Sequence, residues 1–407
     1  MVERGTTVIR ARRKWLSVVV REVLEAYPRP PHDRPRELAA FIEQTETLHR
    51  VKARDRRIPP APTQMADRVR PLVPPINNET ELAHLLELDV HALTWFADVK
   101  GLQRRAAPGP LHHYRYTWRP GRNGRARLLE APKPRLRQIQ RTLLDEVLGP
   151  IPVHPAAHGF VPGRSALTAA QAHLNSPIVI SLDLASFFSS LTADRVYAVF
   201  RAAGYPQPVA FQLTGLCTTR TPVNVLKQMP PAENGFRLRG LLRQAHLPQG
   251  APTSPALANL IVAGLDRRLS GYAQACGLVY TRYADDLTFS LPSPGRLDPN
   301  RIVDAVTGIV RDERLSVAPD KTRVQRNHQR QIVTGIVINQ RPNLPRDEFD
   351  RLKALLHNAV QHGPESQNRG QEADFRAHLL GRIAWVEQLN PARAQRLRES
   401  FDRISWP

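Results

Sequence analysis

Apolar positions recur along most of the chain at helical spacing, and at a few places they run together as they do in buried strands. Trp15, Val19, Val23 and Tyr27 share one helical face, and Leu38, Phe41, Ile42 and Leu48 predict a second helix. Leu82, Leu85, Leu86, Leu93 and Phe96 predict two short helices, and Leu136 to Val147 another. Between them, His113 to Trp118 and Arg125 to Leu129 flank a Pro-Gly-Arg-Asn-Gly turn, which predicts a β-hairpin studded with arginines. Ile178-Val179-Ile180-Ser181-Leu182 is nearly continuous in apolar character, the pattern of a buried strand, and it ends on Asp183. Residues 205–246 show no clear period and are expected to be an irregular, long connection. A helix from Ala256 to about Leu269 follows a turn-rich loop at residues 247–255. Leu278-Val279-Tyr280 and Leu287-Thr288-Phe289 predict two short strands meeting in a tight hairpin at Ala284-Asp285-Asp286. A helix near 302–310 and a strand over Ile332 to Ile338 come next. Three stripes then predict a helical module: Phe349 to Val360 stopped by Gly363, Phe375 to Leu389 stopped by Pro391, and Leu397 to Ile404.

This patterning divides the 407 residues into three parts. Residues 1–75 hold ten of the 37 prolines and many arginines, and form a basic helical extension ending in a proline-punctuated linker. Residues 76–340 form the main body and 341–407 the helical module. The extension fits either a solvated basic arm or a contact with RNA or a partner protein. Across the chain, 58 Lys and Arg stand against 37 Asp and Glu, a formal net charge of +21. So large an excess implies a polyanionic partner, most simply nucleic acid. The two cysteines, Cys217 and Cys276, have neither metal-ligand spacing nor a disulfide pattern, as expected in a reducing, cytoplasmic setting. No apolar run approaches the roughly 20 residues of a membrane span, so no membrane association is expected.

Charge leaves the chemistry open; the carboxylates narrow it. An Asp-Asp pair at a hairpin tip is either a solvated turn or part of a divalent-cation site, because crowded carboxylates are costly without a cation between them. Asp183 ends a strand about a hundred residues earlier. If that strand neighbours the hairpin, Asp183, Asp285 and Asp286 converge and can hold two Mg²⁺ ions. Strand alternation favours Asp183 and Asp285 as principal ligands, with Asp286 at their edge. His154 and His158 lack a third ligand, and Trp385 reads as core.

Tyr283-Ala284-Asp285-Asp286, Asp183 followed by Phe187-Phe188, and Leu247-Pro248-Gln249-Gly250 resemble the core blocks of reverse transcriptases, in the family's order. His158-Gly159-Phe160-Val161-Pro162-Gly163-Arg164-Ser165 and Ala318-Pro319-Asp320-Lys321-Thr322 resemble further blocks, so that the likeness spans roughly residues 80–340. Val333-Thr334-Gly335 is similar to a triplet of bacterial retron enzymes, as is the segment leading into the Asp-Asp tip. That group's Asn-Ala-x-x-His element is not found in residues 205–246. The resemblance implies an α+β, right-hand polymerase fold: basic fingers, an antiparallel-sheet palm and a small helical thumb, behind the N-terminal extension.

It also implies roles. Asp183, Asp285 and Asp286 would hold two Mg²⁺ ions, and Lys321 would protonate departing pyrophosphate. Arg127 matches the arginine that clamps the incoming triphosphate, with Arg122, Arg125 and Lys133 nearby; a guanidinium suits that role by its bidentate bonds. Gln249 would lie beside the nucleotide. Phe188, next to Phe187, occupies the place of the ring that excludes a 2′-hydroxyl, so that deoxynucleotides (dNTPs) are selected. Val333, Thr334 and Gly335 would contact RNA. The implied partners are a cognate structured noncoding RNA, its short DNA product, dNTPs and a separate effector protein, in antiphage defence. Two rivals stay open: a group II intron-like or diversity-generating reverse transcriptase, and an inactive RNA-binding scaffold.

Overall fold

The arginine-studded segment folds as the expected hairpin. In the computed structural model, β1 (Tyr114–Pro120) pairs antiparallel with β2 (Ala126–Pro132), Tyr114 opposite Pro132 and Pro120 opposite Ala126. The structure describes residues 14–27, 35–45, 73–104, 106, 109, 112–120, 124–291 and 298–406. Leu48, Arg122 and most of the proline-rich linker lie outside them. The chain divides into two compact units, Met1–Ile151 with Leu191–Ser254, and Pro152–Ser190 with Pro255–Pro407.

In the first unit, β2 alternates cleanly: Ala126, Leu128, Glu130 and Pro132 point inward while Arg127 points out. The inward face packs on Val225, Leu226, Leu238 and Leu242. These come from the segment expected to be irregular, which instead holds the helices Gln207–Cys217, Val223–Lys227 and Gly235–Leu242. Pro206 and Pro222 stand at the N-caps of the first two. The last two are too short to announce themselves by periodicity, and they persist because tertiary packing supplies what local propensity does not. The helices Glu79–Leu85 and Val90–Ala97 follow the predicted stripes, as do Lys14–Ala26 and Pro35–Gln44. Tyr27 and Phe41 meet edge-on at 5.4 Å. The helix Pro134–Thr142 widens into a π-turn over Leu143–Leu148.

In the second unit, the buried strand and the tight hairpin share one antiparallel sheet in the order β4–β5–β3–β6. Its strands are β3 (Ile178–Asp183), β4 (Val279–Tyr283), β5 (Asp286–Leu291) and β6 (Arg323–Arg326). The expected helix after residue 255 breaks at Val262 into Ser254–Ile261 and Ala263–Ala275. Ile332 to Ile338 is a miniature hairpin rather than one strand: β7 (Ile332–Val333) and β8 (Ile336–Val337) turn at Thr334 and Gly335, both at positive φ (50° and 84°). The helices Arg346–His362, Phe375–Leu389 and Pro391–Phe401 close around Leu352, Leu356, Leu379, Ile383, Leu397 and Phe401. A second cluster joins Val333, Ile336 and Ile338 to Val179 and Leu389, with Trp385 packed against it.

One contact in the first unit leaves no room for a side chain. Gly215, in the helix Gln207–Cys217, approaches Ala97 so closely that a Cβ would lie 2.2 Å from the Ala97 carbonyl oxygen. Alanine is worth about 1 kcal/mol over glycine inside a helix, but this clash involves backbone and cannot be relieved by a rotamer. Gly215→Ala should therefore destabilise by about 2–3 kcal/mol, read as a lower denaturant midpoint.

Candidate active site

The register between β3 and β5 puts Asp183 directly opposite Asp286, so the two side chains share one face of the sheet. Asp285 lies beside them in the two-residue turn that joins β4 to β5, and its carbonyl accepts from the Leu184 amide at 2.9 Å. It is therefore Asp286, rather than Asp285, that stands across from Asp183. The Asp286 carboxyl is pushed up to about 6 by burial first and then by the Asp285 and Asp183 carboxylates, while Lys321 and Arg323 pull the other way. The site thus concentrates more negative charge than it can comfortably ionise.

The turn is held from behind by a buried arginine. Ala284 adopts φ 56°, a left-handed conformation unusual for a residue other than glycine. Its carbonyl accepts from Nη1 of Arg282 at 3.0 Å. The same guanidinium grips Asp266 through Nε (2.8 Å) and Nη2 (2.6 Å), and Asn259 Oδ1 through Nη1 (2.9 Å). Tyr280 donates its hydroxyl to Asp266 at 2.8 Å, and Asn259 donates to the Gly159 carbonyl at 2.9 Å. Arg282 and Asp266 are both fully buried. On the other side of the turn, a Cβ at Gly159 would lie 2.6 Å from the Ala284 nitrogen, so only glycine lets this backbone approach. Arg164 braces that loop by donating Nη1 to the carbonyls of His154, Pro155 and Ala157. Across the hairpin, buried His173 bridges Ser290 Oγ (2.7 Å) and Thr281 Oγ1 (2.8 Å). Burial, with His158 nearby, lowers its pKa to about 4, so it clips the strands as a neutral ring.

Lys321 reaches the site from the turn Pro319–Lys321, with Nζ 2.8 and 2.9 Å from the two Asp183 oxygens. Main-chain bonds from Ala318 to Asp183 (2.7 Å) and from Ala185 to Ser316 (2.8 Å) fasten this segment to the end of β3. Among the described residues, no three carboxylate, imidazole or thiol groups already stand where one metal ion could bridge them. The donor set nevertheless fits a hard divalent cation: it is all carboxylate oxygen, and the raised Asp286 pKa marks the excess negative charge such an ion would offset. Lys321 offsets part of that charge on Asp183.

Phe187 is buried, while its neighbour Phe188 is half-exposed, ring centroids 5.5 Å apart. Within Val333-Thr334-Gly335, the Val333 side chain is spent in the core, leaving half-buried Thr334 and exposed Gly335 at the turn. Thr334 donates to the Ala166 carbonyl at 3.0 Å.

Arg127 and Gln249 belong to the first unit. Arg127 is exposed and sits directly opposite Arg119, also exposed. Like charges facing across a ladder are unfavourable, and an anion between them would relieve the strain; Arg119 is a candidate that spacing alone did not single out. Lys133 is engaged by the Gly109 carbonyl at 2.8 Å. Gln249 accepts through its own carbonyl from the Glu130 amide at 2.9 Å, which ties its loop to β2. Neither Arg282 nor its partners were legible as site residues, because they lie 16 and 23 positions apart with no motif between them.

Comparison with known proteins identifies the family. Residues 119–342 match the family model described as reverse transcriptase (RNA-dependent DNA polymerase). The retron Mx65 reverse transcriptase of Myxococcus xanthus is 40% identical over 332 residues, covering 80% of this chain and 71% of that protein. The retron Mx162 enzyme of the same organism is 37% identical over 339 residues (79% and 65%). The retron Ec86 enzyme of Escherichia coli is 33% identical over 238 residues (58% and 66%). The chain thus spans about two thirds of the length of each of these relatives.

Two tests follow from the carboxylates and their support. Arg282→Lys keeps the charge but replaces a planar fork with a point donor that cannot serve Asp266, Asn259 and Ala284 together. It should cost about 2 kcal/mol in stability and lower kcat for nucleotide addition more than it raises the KM for nucleotide, as read by melting and single-addition kinetics. Asp286 binds its proton more tightly folded than unfolded, so its burden on the metal-free protein is present above about pH 6 and is relieved as pH falls toward 4. Asp286→Asn should therefore raise the melting temperature of the metal-free protein at pH 7.5 while abolishing synthesis. Mg²⁺ should stabilise the unsubstituted protein at pH 7.5 but progressively less below pH 6.

Proposed function

The chain belongs to the retron-type reverse transcriptases, RNA-directed DNA polymerases of right-hand α+β fold, and from that premise we propose that it copies a structured noncoding RNA from its own locus into a short DNA. The observation that carries the proposal is the convergence of Asp183, Asp286 and the Asp285 turn on one face of an antiparallel sheet, with Lys321 beside them. In this reading Asp183, Asp285 and Asp286 would hold two Mg²⁺ ions. Bound there, the metal supplies an activated primer hydroxyl and charge neutralisation at the leaving pyrophosphate.

The chain's own residues do the rest. Lys321, which the turn Pro319–Lys321 places beside Asp183, would hand a proton to pyrophosphate. Arg127, with Arg119 opposite, clamps the triphosphate by charge-assisted hydrogen bonds. Gln249 lies along the nucleotide, and the half-exposed Phe188 ring excludes a 2′-hydroxyl. The Thr334-Gly335 turn and the arginines of the C-terminal helices meet RNA backbone. Two of those arginines have partners within the protein: Arg393 lies 4.9 Å over the Phe349 ring, and Arg398 pairs with Glu387. The exposed Arg376 and Arg396 are better placed for phosphate. A cytoplasmic site of action is supported by two unpaired cysteines, and among the described residues no helix is long and apolar enough to cross a membrane. A role in antiphage defence with a separate effector protein rests on the family resemblance.

The reading is tested on nucleic acid that co-purifies when the protein is expressed with its native flanking DNA. A discrete short DNA whose mobility shifts on RNase treatment, absent from an Asp285→Ala, Asp286→Ala control, is the expected result. RNA without DNA in both samples would point instead to an RNA-binding scaffold.

A further inference from the structure

Among the ion pairs of the described residues, two are buried to 1% exposure or less on both sides. One is the Arg282–Asp266 pair behind the catalytic turn. The other, Glu130–His246, lies in the first unit, and nothing described so far requires it. We infer that this second pair positions the nucleotide-contacting loop: it fixes Gln249 against the strand that carries Arg127, and thereby sets the affinity for the incoming deoxynucleotide. The inference rests on the proposed roles of Gln249 and Arg127.

The geometry is closed on every side. Glu130 Oε2 lies 2.8 Å from His246 Nε2, and Glu130 Oε1 accepts from the Thr221 hydroxyl at 2.8 Å. His246 Nδ1 faces the Gln244 carbonyl at 2.8 Å, and since a carbonyl only accepts, that nitrogen must carry a hydrogen. Burial alone would lower the His246 pKa, but the Glu130 carboxylate and the hydrogen bonds to Glu130 and Gln244 outweigh it and raise it. Glu130 then uses its main chain as well, donating its amide to the Gln249 carbonyl at 2.9 Å. Next to it, Gly250 adopts φ 126°, and a Cβ there would lie 3.3 Å from the Glu130 carbonyl oxygen. His246 exchanges main-chain hydrogen bonds with Thr219 in both directions at 3.0 Å, and the Leu247 amide donates to Leu191 at 3.0 Å. The four residues from His246 to Gln249 are thus anchored at both ends, by the pair at one and by the β2 main chain at the other.

Stability does not explain such a pair. Two ions taken out of water cost several kcal/mol each, and an apolar replacement is often as stable or more so. What the pair supplies is direction, because hydrogen bonds to both carboxylate oxygens and both ring nitrogens admit one arrangement of the loop. Glu130 is also three residues along a rigid strand from Arg127, with their side chains on opposite faces. The inward carboxylate holds the loop while the outward guanidinium stays free for a ligand.

The test is steady-state dNTP incorporation by the full chain on a primed RNA template with Mg²⁺, with melting curves to confirm folding. Glu130→Gln keeps every hydrogen bond with neutral groups: its oxygen accepts from Thr221, and its amide donates to Nε2 of a neutral His246 whose Nδ1 still donates to Gln244. It should leave the dNTP KM within about threefold of the starting enzyme. The double variant Glu130→Ala, His246→Ala removes both charges together, so neither is left buried alone, and should raise the dNTP KM about tenfold with kcat changed less than about threefold. A purely structural loss would instead lower kcat with the active fraction and leave KM unchanged. A folded double variant with unchanged KM overturns the inference, as does Glu130→Gln behaving like the double variant. Gln249→Ala is the reference: it should itself raise the dNTP KM. If it does not, the nucleotide role of the loop has failed and the inference falls with it; if it does while the double variant does not, the pairing alone has failed.

Discussion

The turn that presents Asp285 and Asp286 depends on a charge taken out of water. Arg282 is fully buried, and a guanidinium in that position is tolerable only if its donors find acceptors of fixed geometry. Asp266 takes two of them, Asn259 one, and the Ala284 carbonyl another. Because the last of these belongs to the turn itself, satisfying the arginine and shaping the turn are one and the same requirement. Asn259 extends the chain of bonds to Gly159, whose missing side chain lets a second backbone press against the Ala284 amide. The left-handed Ala284, costly by itself, is thereby over-determined from two directions. The two acidic residues that follow Ala284 are presented by a rigid turn rather than by a flexible tip.

Rigidity matters because the carboxylates repel one another. Asp183 and Asp286 are held opposite each other by the β3–β5 ladder, with Asp285 beside them, and partial burial weakens the screening of Asp286 from the other two. A looser frame would relax by splaying the side chains apart. The sheet does not allow this, and Lys321 on Asp183 offsets part of the repulsion. The arrangement is less stable than an uncharged one would be. In the first unit, the facing pair Arg119 and Arg127 has the opposite sign and the same logic: like charges held close by the register of a ladder.

Much of the fold was legible in the chain because it is governed by local faces. The Pro-Gly-Arg-Asn-Gly turn between two β-prone runs, the apolar run into Asp183, the residues flanking Ala284-Asp285 and the three C-terminal stripes are each local signals, and each element formed. Residues 205–246 did not read this way. Their helices of five and eight residues are too short for a period to emerge, and they form because Val225, Leu226, Leu238 and Leu242 pack under the β1–β2 hairpin. Ile332 to Ile338 misled for a related reason: Thr334 is a β-branched residue at positive φ, so the turn that splits the segment has no turn-like signal at its first position.

The sequence by itself determined the chemical inventory: a strongly basic protein, three aspartates in ordered blocks, and a lysine, a glutamine and arginines at the matching places. Only the tertiary structure decided which of these groups face one another. Register across β3 and β5 made Asp286, not Asp285, the partner of Asp183, and long-range packing brought Gly159, Asn259 and Asp266 to Arg282. Glu130 and His246 are 116 positions apart in the chain, yet form one buried ion pair. Periodicity records how a residue sits relative to its near neighbours. It carries no record of pairing across a hundred residues, which is chosen by the burial of apolar faces and by the need of each buried charge for a partner.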